Sequence, residues 1–217
     1  MPTLVRHAME MVIGSQVLPK MRVEDPSTEQ ALIDRCRRQD VEAFGKFVDL
    51  YQNRVFGFVR RMVSNPDEAA DVTQDVFIRA YQNFERFDGR SSVRTWLFRI
   101  AHNLCIDRAR KQDRTPQSVS MAADHDDFEG MDVADTRWQA DHVLMREELV
   151  AIVDAAIGTM SEKLRSVLLL HDREDMPYEE IAELLTIPVG TVKSRLFLAR
   201  AHLQRALQPY LQSEDAV

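Results

Sequence analysis

Residues 176–203 have the sequence MPYEEIAELLTIPVGTVKSRLFLARAHL, in which two short apolar patterns follow each other. Ile181, Leu184 and Leu185 share one face of a first helix because they recur at helical spacing. The second pattern recurs at steps of four, three and four residues and comprises Val192, Leu196, Ala199 and Leu203. Pro188 precedes it, and proline is tolerated in the first turn of a helix, where its missing N–H would be unsatisfied anyway. The segment therefore predicts a helix-turn-helix whose two apolar faces bury against each other.

The second helix of this unit also has a face that its core does not need. That face carries Lys193, Ser194, Phe197 and Arg200. Positions 193, 197 and 200 lie on one side of a helix at this spacing. The acidic residues Glu179, Glu180 and Glu183 all lie on the first helix. This separation of charge favours a DNA-recognition helix, since cations meet phosphates and base edges there; an ordinary helical hairpin with a solvated basic face is the alternative.

The composition favours two small domains and no enzymatic activity. The chain has 217 residues, 45% of them hydrophobic, which suffices for one large or two small cores. Its net charge of -7 is unusual for a protein that binds DNA alone, because non-specific affinity comes mainly from cations. No nucleophile motif, phosphate-binding loop or metal–carboxylate cluster is present, so we expect no catalytic residues and no cofactor. DNA binding assisted by a partner is therefore expected.

The two cysteines, Cys36 and Cys105, are too few for a disulfide framework and are typical of the reducing cytoplasm. His102 lies three residues before Cys105, but a zinc site needs about four ligands and no others gather nearby. No metal site is therefore predicted, and both cysteines are expected to be small core residues.

The chain divides into two helical domains with tails and a linker. Residues 1–27 contain no apolar run near the roughly 20 residues of a membrane span, so a disordered tail and no membrane insertion are predicted. Residues 28–112 are poor in glycine and proline and predict three or four helices. A flexible acidic linker, either a DNA mimic or a solubilising spacer, is expected over 113–141. A helix-turn-helix domain over 142–208 and a polar tail over 209–217 complete a predicted all-α fold.

The last helix of the first domain, predicted over residues 93–111, interleaves basic and aromatic residues. Its sequence is VRTWLFRIAHNLCIDRARK, with Arg94 and Arg99 among the cations and Trp96 and Phe98 as the aromatic residues. Such a mix suits single-stranded or melting DNA, because cations follow the phosphates while a ring stacks on an exposed base. The apolar stripe comprises Leu97, Ile100, Ala101 and Leu104. Trp96 fits either that core or a DNA contact.

Two segments carry a family resemblance. They are ADVTQDVFIRAYQNFERFDGRSSVRTWLFRIAHNLCIDRARK, residues 70–111, and MPYEEIAELLTIPVGTVKSRLFLARA, residues 176–201. Their order and spacing resemble those of bacterial sigma factors of the extracytoplasmic function (ECF) group of the sigma-70 family, over roughly residues 28–112 and 142–207. The resemblance implies a region 2 and a region 4 domain in a promoter-specificity subunit. Such a subunit joins RNA polymerase core, opens promoter DNA and then leaves, and an anti-sigma factor is an expected partner.

The resemblance implies a polymerase-binding role for the DVTQD motif. This motif is similar to the segment by which sigma factors contact the clamp helices of the polymerase, which implies contacts by Asp71, Gln74 and Asp75. These three polar residues also share one helix face at spacings of three and four residues, with no evident core role. Core polymerase is the expected partner of this face.

Two further motifs resemble the family's promoter-binding segments. The loop before the last helix of the first domain implies capture of a flipped base of the minus ten element. The residues concerned are Asp88, Gly89, Arg90, Ser91 and Ser92, with Trp96 and Arg99 on the helix. Gly89 allows a tight loop, although glycine also commonly ends a helix. The recognition helix implies reading of the minus thirty-five element through Lys193, Ser194, Phe197 and Arg200, with Leu198 where a basic residue is common.

Two other classes of protein explain part of the sequence. A stand-alone helix-turn-helix regulator explains the second domain but leaves the basic and aromatic helix of the first domain without a purpose. An interaction adaptor of the anti-sigma or partner-switching kind explains the acidity but not the clustered cations.

Overall fold

The computed structural model describes residues 26–63, 65–114 and 142–214, and every regular element within these ranges is helical. The predicted N-terminal tail before residue 26 and most of the predicted linker, residues 115–141, lie outside the described residues. The all-α fold predicted from the sequence is therefore confirmed for the described part of the chain.

Each domain contains four α-helices in the described ranges. The first has α1 (Pro26–Arg37), α2 (Val41–Met62), α3 (Pro66–Asn83) and α4 (Val93–Arg114), with a 3₁₀ turn at Phe84–Arg86. The second has α5 (His142–Thr159), α6 (Glu162–Leu168), α7 (Tyr178–Leu185) and α8 (Val189–Glu214), with a π-helical turn at Leu169–Arg173. Helices α7 and α8 form the helix-turn-helix.

Side-chain caps set the starts of α2 and α3. Asp40 accepts a hydrogen bond from the backbone N–H of Ala43 at 3.0 Å, and Arg35 donates to the same carboxylate at 2.8 Å. Asn65 accepts from the backbone N–H of Asp67 at 3.0 Å, with a proline in the first turn. Both caps satisfy N–H groups that the first turn of a helix leaves without intrahelical partners.

Aromatic rings fill the core of the first domain where α2, α3 and α4 meet. Phe47 lies 5.1 Å from Phe84 between ring centroids, edge to face, and Phe58 meets Phe98 in the same geometry at 5.4 Å. This geometry is favoured because the positive edge of one ring meets the negative face of the other. Phe98 is completely buried. Its grouping with the DNA-facing aromatic residues of this helix was therefore wrong: it is a core residue.

The helix-turn-helix packs as its apolar pattern predicts. The buried positions are Ile181 and Leu184 on α7 and Val192, Leu196, Ala199 and Leu203 on α8. Thr186 ends α7 in the left-handed conformation, with φ 56° and ψ 48°. The N–H of Ile187 donates to the carbonyl of Ala182 at 3.0 Å. This turn leads directly into α8, which begins immediately after Pro188, the predicted start.

Helix α8 extends past the predicted end of the second domain. Its backbone stays helical through Pro209 to Glu214, into residues expected as a polar tail. A proline removes one backbone donor, which weakens a helix but does not by itself end one that is anchored by packing. The anchors here are Leu203 and Leu207, both completely buried.

The two domains are in direct contact. Helix α4 packs against α7, and α2 packs against α5 and α6. Arg165 of α6 donates to the backbone carbonyls of Arg61 and Met62, each at 3.3 Å, at the C-terminal end of α2. A cation is favoured there because the last carbonyls of a helix carry partial negative charge. The sequence patterns did not predict this contact, which places α4 beside the first helix of the helix-turn-helix.

Candidate nucleic-acid and polymerase interfaces

The loop that precedes α4 is exposed and internally bonded. Asp88 accepts from the backbone N–H of Arg90 at 3.1 Å, and the Arg90 guanidinium lies 3.0 Å from the same carboxylate. Gly89 adopts φ 75°, a conformation that other residues rarely adopt. Arg37 of α1 supports the loop from below by donating to the carbonyl of Phe87 at 2.9 Å. The predicted base-capture residues therefore lie together in one loop.

Trp96 divides its surface between the core and the solvent. Its ring lies 5.2 Å from Phe84 and 5.3 Å from Phe87 between centroids. The side chain is only half-buried, and its backbone N–H donates to the carbonyl of Ser92 at 3.0 Å. The ring is thus held on one side, in the first turn of α4, and partly open on another. Such a supported ring can stack on an exposed base.

The cations of α4 face carboxylates of α7. Arg99 donates to Glu183 at 2.9 Å. Glu180 accepts from the Thr95 hydroxyl and lies 4.0 Å from Arg94. The sequence implied that Arg99 contacts DNA but not that the acids of α7 lie against it. The available signal was the confinement of those acids to the first helix of the helix-turn-helix.

A buried carboxylate lies deeper in the same contact. Glu174 is only 1% exposed, and its carboxylate accepts from Arg54 of α2 at 2.8 Å. Its backbone carbonyl accepts from Arg94 at 2.9 Å. Burial raises the pKa of Glu174 despite the opposing effect of Arg54, and burial lowers the pKa of the neighbouring Arg173 to about 10. Desolvation therefore outweighs charge attraction here, so the pair contributes orientation more than net stability.

The recognition helix α8 presents the residues predicted to read DNA. The exposed positions of this face are Lys193, Ser194, Phe197 and Arg200. Lys193 lies with its ammonium 5.8 Å from the centroid of the Tyr178 ring. Arg200 lies 2.5 Å from the carboxylate of Asp172, and this hydrogen bond raises the pKa of Arg200. The face is therefore basic and open, with one of its cations already paired.

Helix α3 carries the residues predicted to contact the polymerase, and all three, Asp71, Gln74 and Asp75, are exposed. Beside Gln74, α2 and α3 form an open groove of about 730 Å³. Its lining includes Phe56 and Ile78, which are 40% and 45% exposed. An exposed apolar patch with a polar edge is typical of a protein-binding surface. The sequence pattern revealed the polar edge but not the groove, because exposed and buried apolar residues share the same helical spacing.

The cysteines and the described helices carry no sign of metal or membrane chemistry. In the described ranges, no three histidine, cysteine or acidic side chains gather as metal ligands. Cys36 and Cys105 are buried, and burial raises the pKa of Cys36 to about 11 and that of Cys105 to about 12. Both thiols are therefore protonated and unreactive near neutral pH. No helix that the structure describes is both long and apolar enough to cross a bilayer.

Comparison with known proteins assigns both domains. The chain matches sigma-70 region 2 over residues 47–115 and sigma-70 region 4 over residues 151–203. The RNA polymerase sigma-H factor of Pseudomonas aeruginosa is 38% identical over 185 residues, which cover 85% of this chain and 96% of the relative. The ECF RNA polymerase sigma-E factor of Haemophilus influenzae is 38% identical over 187 residues, covering 85% and 97%.

Two solved structures share the fold. CnrH in complex with the cytosolic domain of CnrY aligns with a TM-score of 0.58 at 23% identity, covering 82% of this chain and 96% of the matched chain. The sigma factor RpoE of Bartonella quintana in complex with the anti-sigma factor NepR aligns with 0.59 at 24% identity, covering 76% and 96%. At these identities the likeness concerns the fold alone. Because both regions match in order and the relatives align over most of their length, the chain belongs to the ECF group of the sigma-70 family and acts as a sigma factor in transcription initiation.

Proposed function

We propose that the chain binds core RNA polymerase through its first domain and recognises a promoter through one DNA-facing surface in each domain. The observation that carries this proposal is the separation of the predicted residues onto three exposed surfaces: α3, the loop before α4, and α8. A stand-alone helix-turn-helix regulator needs only the third of these surfaces. The polymerase supplies the chemistry of RNA synthesis, and the chain supplies contacts and positioning. Its proposed site of action is the cytoplasm, where transcription takes place.

The proposed polymerase contact combines a polar patch with an apolar groove. Asp71, Gln74 and Asp75 form the polar patch, and Phe56 and Ile78 are exposed in the groove beside Gln74. Apolar burial supplies affinity in such an interface, while charged groups at its edge determine orientation and association rate. Removal of the exposed Phe56 and Ile78 rings and methyls from water is a further source of affinity.

Promoter opening is assigned to the loop before α4 and to Trp96. Extrusion of a base costs stacking energy, which a preformed pocket and an aromatic ring offset. The loop is held in shape by the Asp88–Arg90 contact and by Arg37, so little conformational entropy is lost when a base enters. Trp96 is supported by core rings on one side, which suits it to stack on a neighbouring base.

Recognition of the upstream element is assigned to α8. An α-helix fits the major groove, and residues on its exposed face reach base edges. Lys193 and Arg200 supply hydrogen-bond donors, and Phe197, 73% exposed, supplies an apolar contact of the kind that meets a thymine methyl group. Leu198 is also exposed, at 51%, and adds no charge to this face.

An anti-sigma factor is a proposed partner of the chain. Its support is membership of the sigma family together with the RpoE protein of Bartonella quintana, which has the same fold and whose structure includes the anti-sigma factor NepR. Affinity purification of the tagged chain, with mass spectrometry of co-purifying proteins, tests this partner. Recovery of core polymerase alone, under every growth condition tried, speaks against it.

A gel-shift comparison with and without core polymerase tests the proposed function. The promoter is first selected by run-off transcription from a genomic library. At about 150 mM salt, where exposed charges are screened beyond about 8 Å, we expect sequence-specific binding only when core is present. The reason is that two or three basic contacts on α8 neutralise few phosphates. Tight, specific binding by the chain alone, unaffected by core, favours a stand-alone regulator instead.

A further inference from the structure

We infer that the free chain is autoinhibited by a closed contact in which the acidic face of α7 occupies the DNA-facing side of α4, and that promoter opening requires this contact to separate. The inference rests on the proposed function, because it concerns the same DNA-facing residues. The contact lies entirely within one chain and joins the two domains.

The closed contact engages residues that the DNA needs. Arg99, a predicted DNA contact, donates to Glu183 at 2.9 Å. Ser92, at the end of the predicted base-capture loop, donates to Glu180 at 3.4 Å. The Thr95 hydroxyl donates to the same carboxylate and is completely buried. A carboxylate offers these cations and hydroxyls the same negative acceptor oxygens as a DNA phosphate. Helix α7 therefore stands in for the DNA backbone along α4.

A second set of contacts holds the two domains in register. Asp154 of α5 pairs with Arg61 at 2.8 Å and with Arg60 at 3.1 Å, both on α2. Gly57, on the same helix, makes room for the Arg173 guanidinium: a Cβ at this position would lie 2.6 Å from Nη2. The contact is thus extended and shaped rather than a single surface pair. Such a contact fixes one relative orientation of the domains.

The contact is also of a kind that can be opened. Its outer pairs are partly exposed, with 36% of the Arg99 and 56% of the Glu183 side chain accessible. Ion pairs of this exposure contribute little each and are weakened by salt. The buried Glu174 retains its charge only against the opposing effect of burial, so it adds orientation more than stability. The closed state is therefore a modest minimum that a large partner can displace.

The dimensions of a promoter make the closed state incompatible with double engagement. The minus ten and minus thirty-five elements are about 25 base pairs apart, or about 85 Å at roughly 3.4 Å per base pair. In the closed state, however, α4 and the helix-turn-helix are within hydrogen-bonding distance. Since α7 and α8 belong to one packed unit, α8 cannot reach the upstream element while α7 remains on α4. Residues 115–141 between the domains are long enough to span on the order of 90 Å when extended.

The polymerase-binding surface stays available in the closed state. The groove beside Gln74 uses Phe56 and its neighbours on one side of α2, whereas the domain contact uses Arg54, Gly57 and Arg61. Phe56 remains 40% exposed. Core polymerase can therefore bind the closed chain first and separate the domains afterwards. The order follows from which surface is free.

The test compares two variants of the full chain that lose the same number of negative charges. The first, Glu180→Gln with Glu183→Gln, removes the carboxylates that face α4. The second, Glu179→Gln with Asp175→Asn, removes exposed carboxylates of the same domain that do not face α4. Asparagine suits position 175, whose φ is 51°. Small-angle X-ray scattering gives the radius of gyration, and fluorescence anisotropy gives binding to a labelled oligothymidylate strand across a salt series.

The first variant is expected to have a radius of gyration several ångströms above that of the wild type. Release of Arg94 and Arg99 to contact two phosphates should also steepen the slope of log affinity against log salt by about 1.4, at roughly 0.7 per phosphate for single strands. The second variant should match the wild type in both. Equal radii and equal slopes in all three proteins overturn the inference.

Run-off transcription with core polymerase separates this result from the proposed function. If all three proteins initiate transcription but do not differ when free, the closed contact is refuted and the sigma function stands. If the free proteins differ as expected but none initiates with core on any promoter, the closed contact stands and the proposed function fails. A free wild type that is already as extended as the first variant also refutes the closed contact.

Discussion

Arg54 of α2 and Glu174 of the second domain form an ion pair of 2.7 Å in which the carboxylate is almost completely buried. The two residues are far apart in the chain and belong to different domains, so their contact reports the packing of one domain on the other. Burial raises the pKa of the Glu174 carboxyl, and the Arg54 cation only partly opposes this effect. The free energy of this packing should therefore depend on pH.

We expect the wild type to gain stability relative to a Glu174→Gln variant as the pH falls. A carboxyl whose pKa is higher in the folded than in the unfolded state contributes most stability when protonated, and that contribution is lost as the pH rises through the folded-state pKa. Urea unfolding of both proteins between about pH 7 and pH 4.5 measures the difference. The wild type falling behind the variant toward acid would mean that attraction to Arg54 outweighs burial.

Reversal of charge at Asp75 should weaken binding to core polymerase. Asp75 is exposed on α3 in the proposed polymerase patch, where a like-charge contact in an interface is strongly unfavourable. We expect Asp75→Arg to lower affinity for core at least roughly tenfold, with an unchanged Tm. Asp107→Arg, also exposed but on α4, is the matched control and should bind normally. Normal binding by both variants removes Asp75 from the interface.

Loss of the Trp96 ring should slow promoter opening more than it reduces affinity for double-stranded promoter. The ring is half-buried against Phe84 and Phe87, so Trp96→Ala also lowers the free energy of unfolding, by about 2 kcal/mol for a partly buried aromatic residue. Permanganate footprinting of unpaired thymines, at a temperature where the variant is folded, measures opening. Trp96→Phe retains a ring and should open faster than the alanine variant. Equal opening rates for all three proteins make Trp96 a core residue only.

The cations of α8 should differ in what they read. Lys193→Ala and Arg200→Ala are each expected to cost about 1 to 3 kcal/mol of promoter binding if the side chain contacts a base edge. A residue that contacts phosphate instead weakens all sequences evenly and reduces the salt slope by about one. Binding of the polymerase holoenzyme to promoter variants distinguishes the two. Unchanged binding by both alanine variants excludes this face of α8.

Asp172→Asn is a useful companion to the Arg200 variant. Asp172 lies 2.5 Å from Arg200, so its charge competes with DNA for the guanidinium. We expect Asp172→Asn to tighten binding to all sequences and to narrow the ratio between correct and incorrect promoters. A wider ratio instead would show that the pair weakens recognition rather than sharpening it.

The sequence predicted those parts of the structure that depend on local periodicity. Val192 and Leu196 recur at helical spacing, and burial follows because one face of a short helix must pack. The exposure of Lys193 and Phe197 follows from the same spacing. Phe98 was harder to interpret: an aromatic residue among cations suits both a core and a nucleic-acid surface, and only the position of Phe58 across the core decides between them.

The contact between the domains lay beyond that reasoning. Arg99 and Glu183 lie 84 positions apart, and periodicity carries no information about which charged faces meet across such a distance. Helix α7 seemed from its acids to be merely the face turned away from DNA. Its charge pattern gains a structural meaning only from the position of α4.

The Arg200–Asp172 pair has a consequence for residence time on the chromosome. Any DNA that takes up Arg200 must first separate it from Asp172, and this cost is the same for every sequence. A base edge that accepts both donors of the guanidinium offsets the cost, whereas an unrelated sequence does not. With up to about a billion competing sites in a genome, even a small uniform penalty shortens occupancy at wrong sites far more often than at right ones. An acidic neighbour of a reading residue thus helps to keep a scarce subunit from being sequestered on bulk DNA.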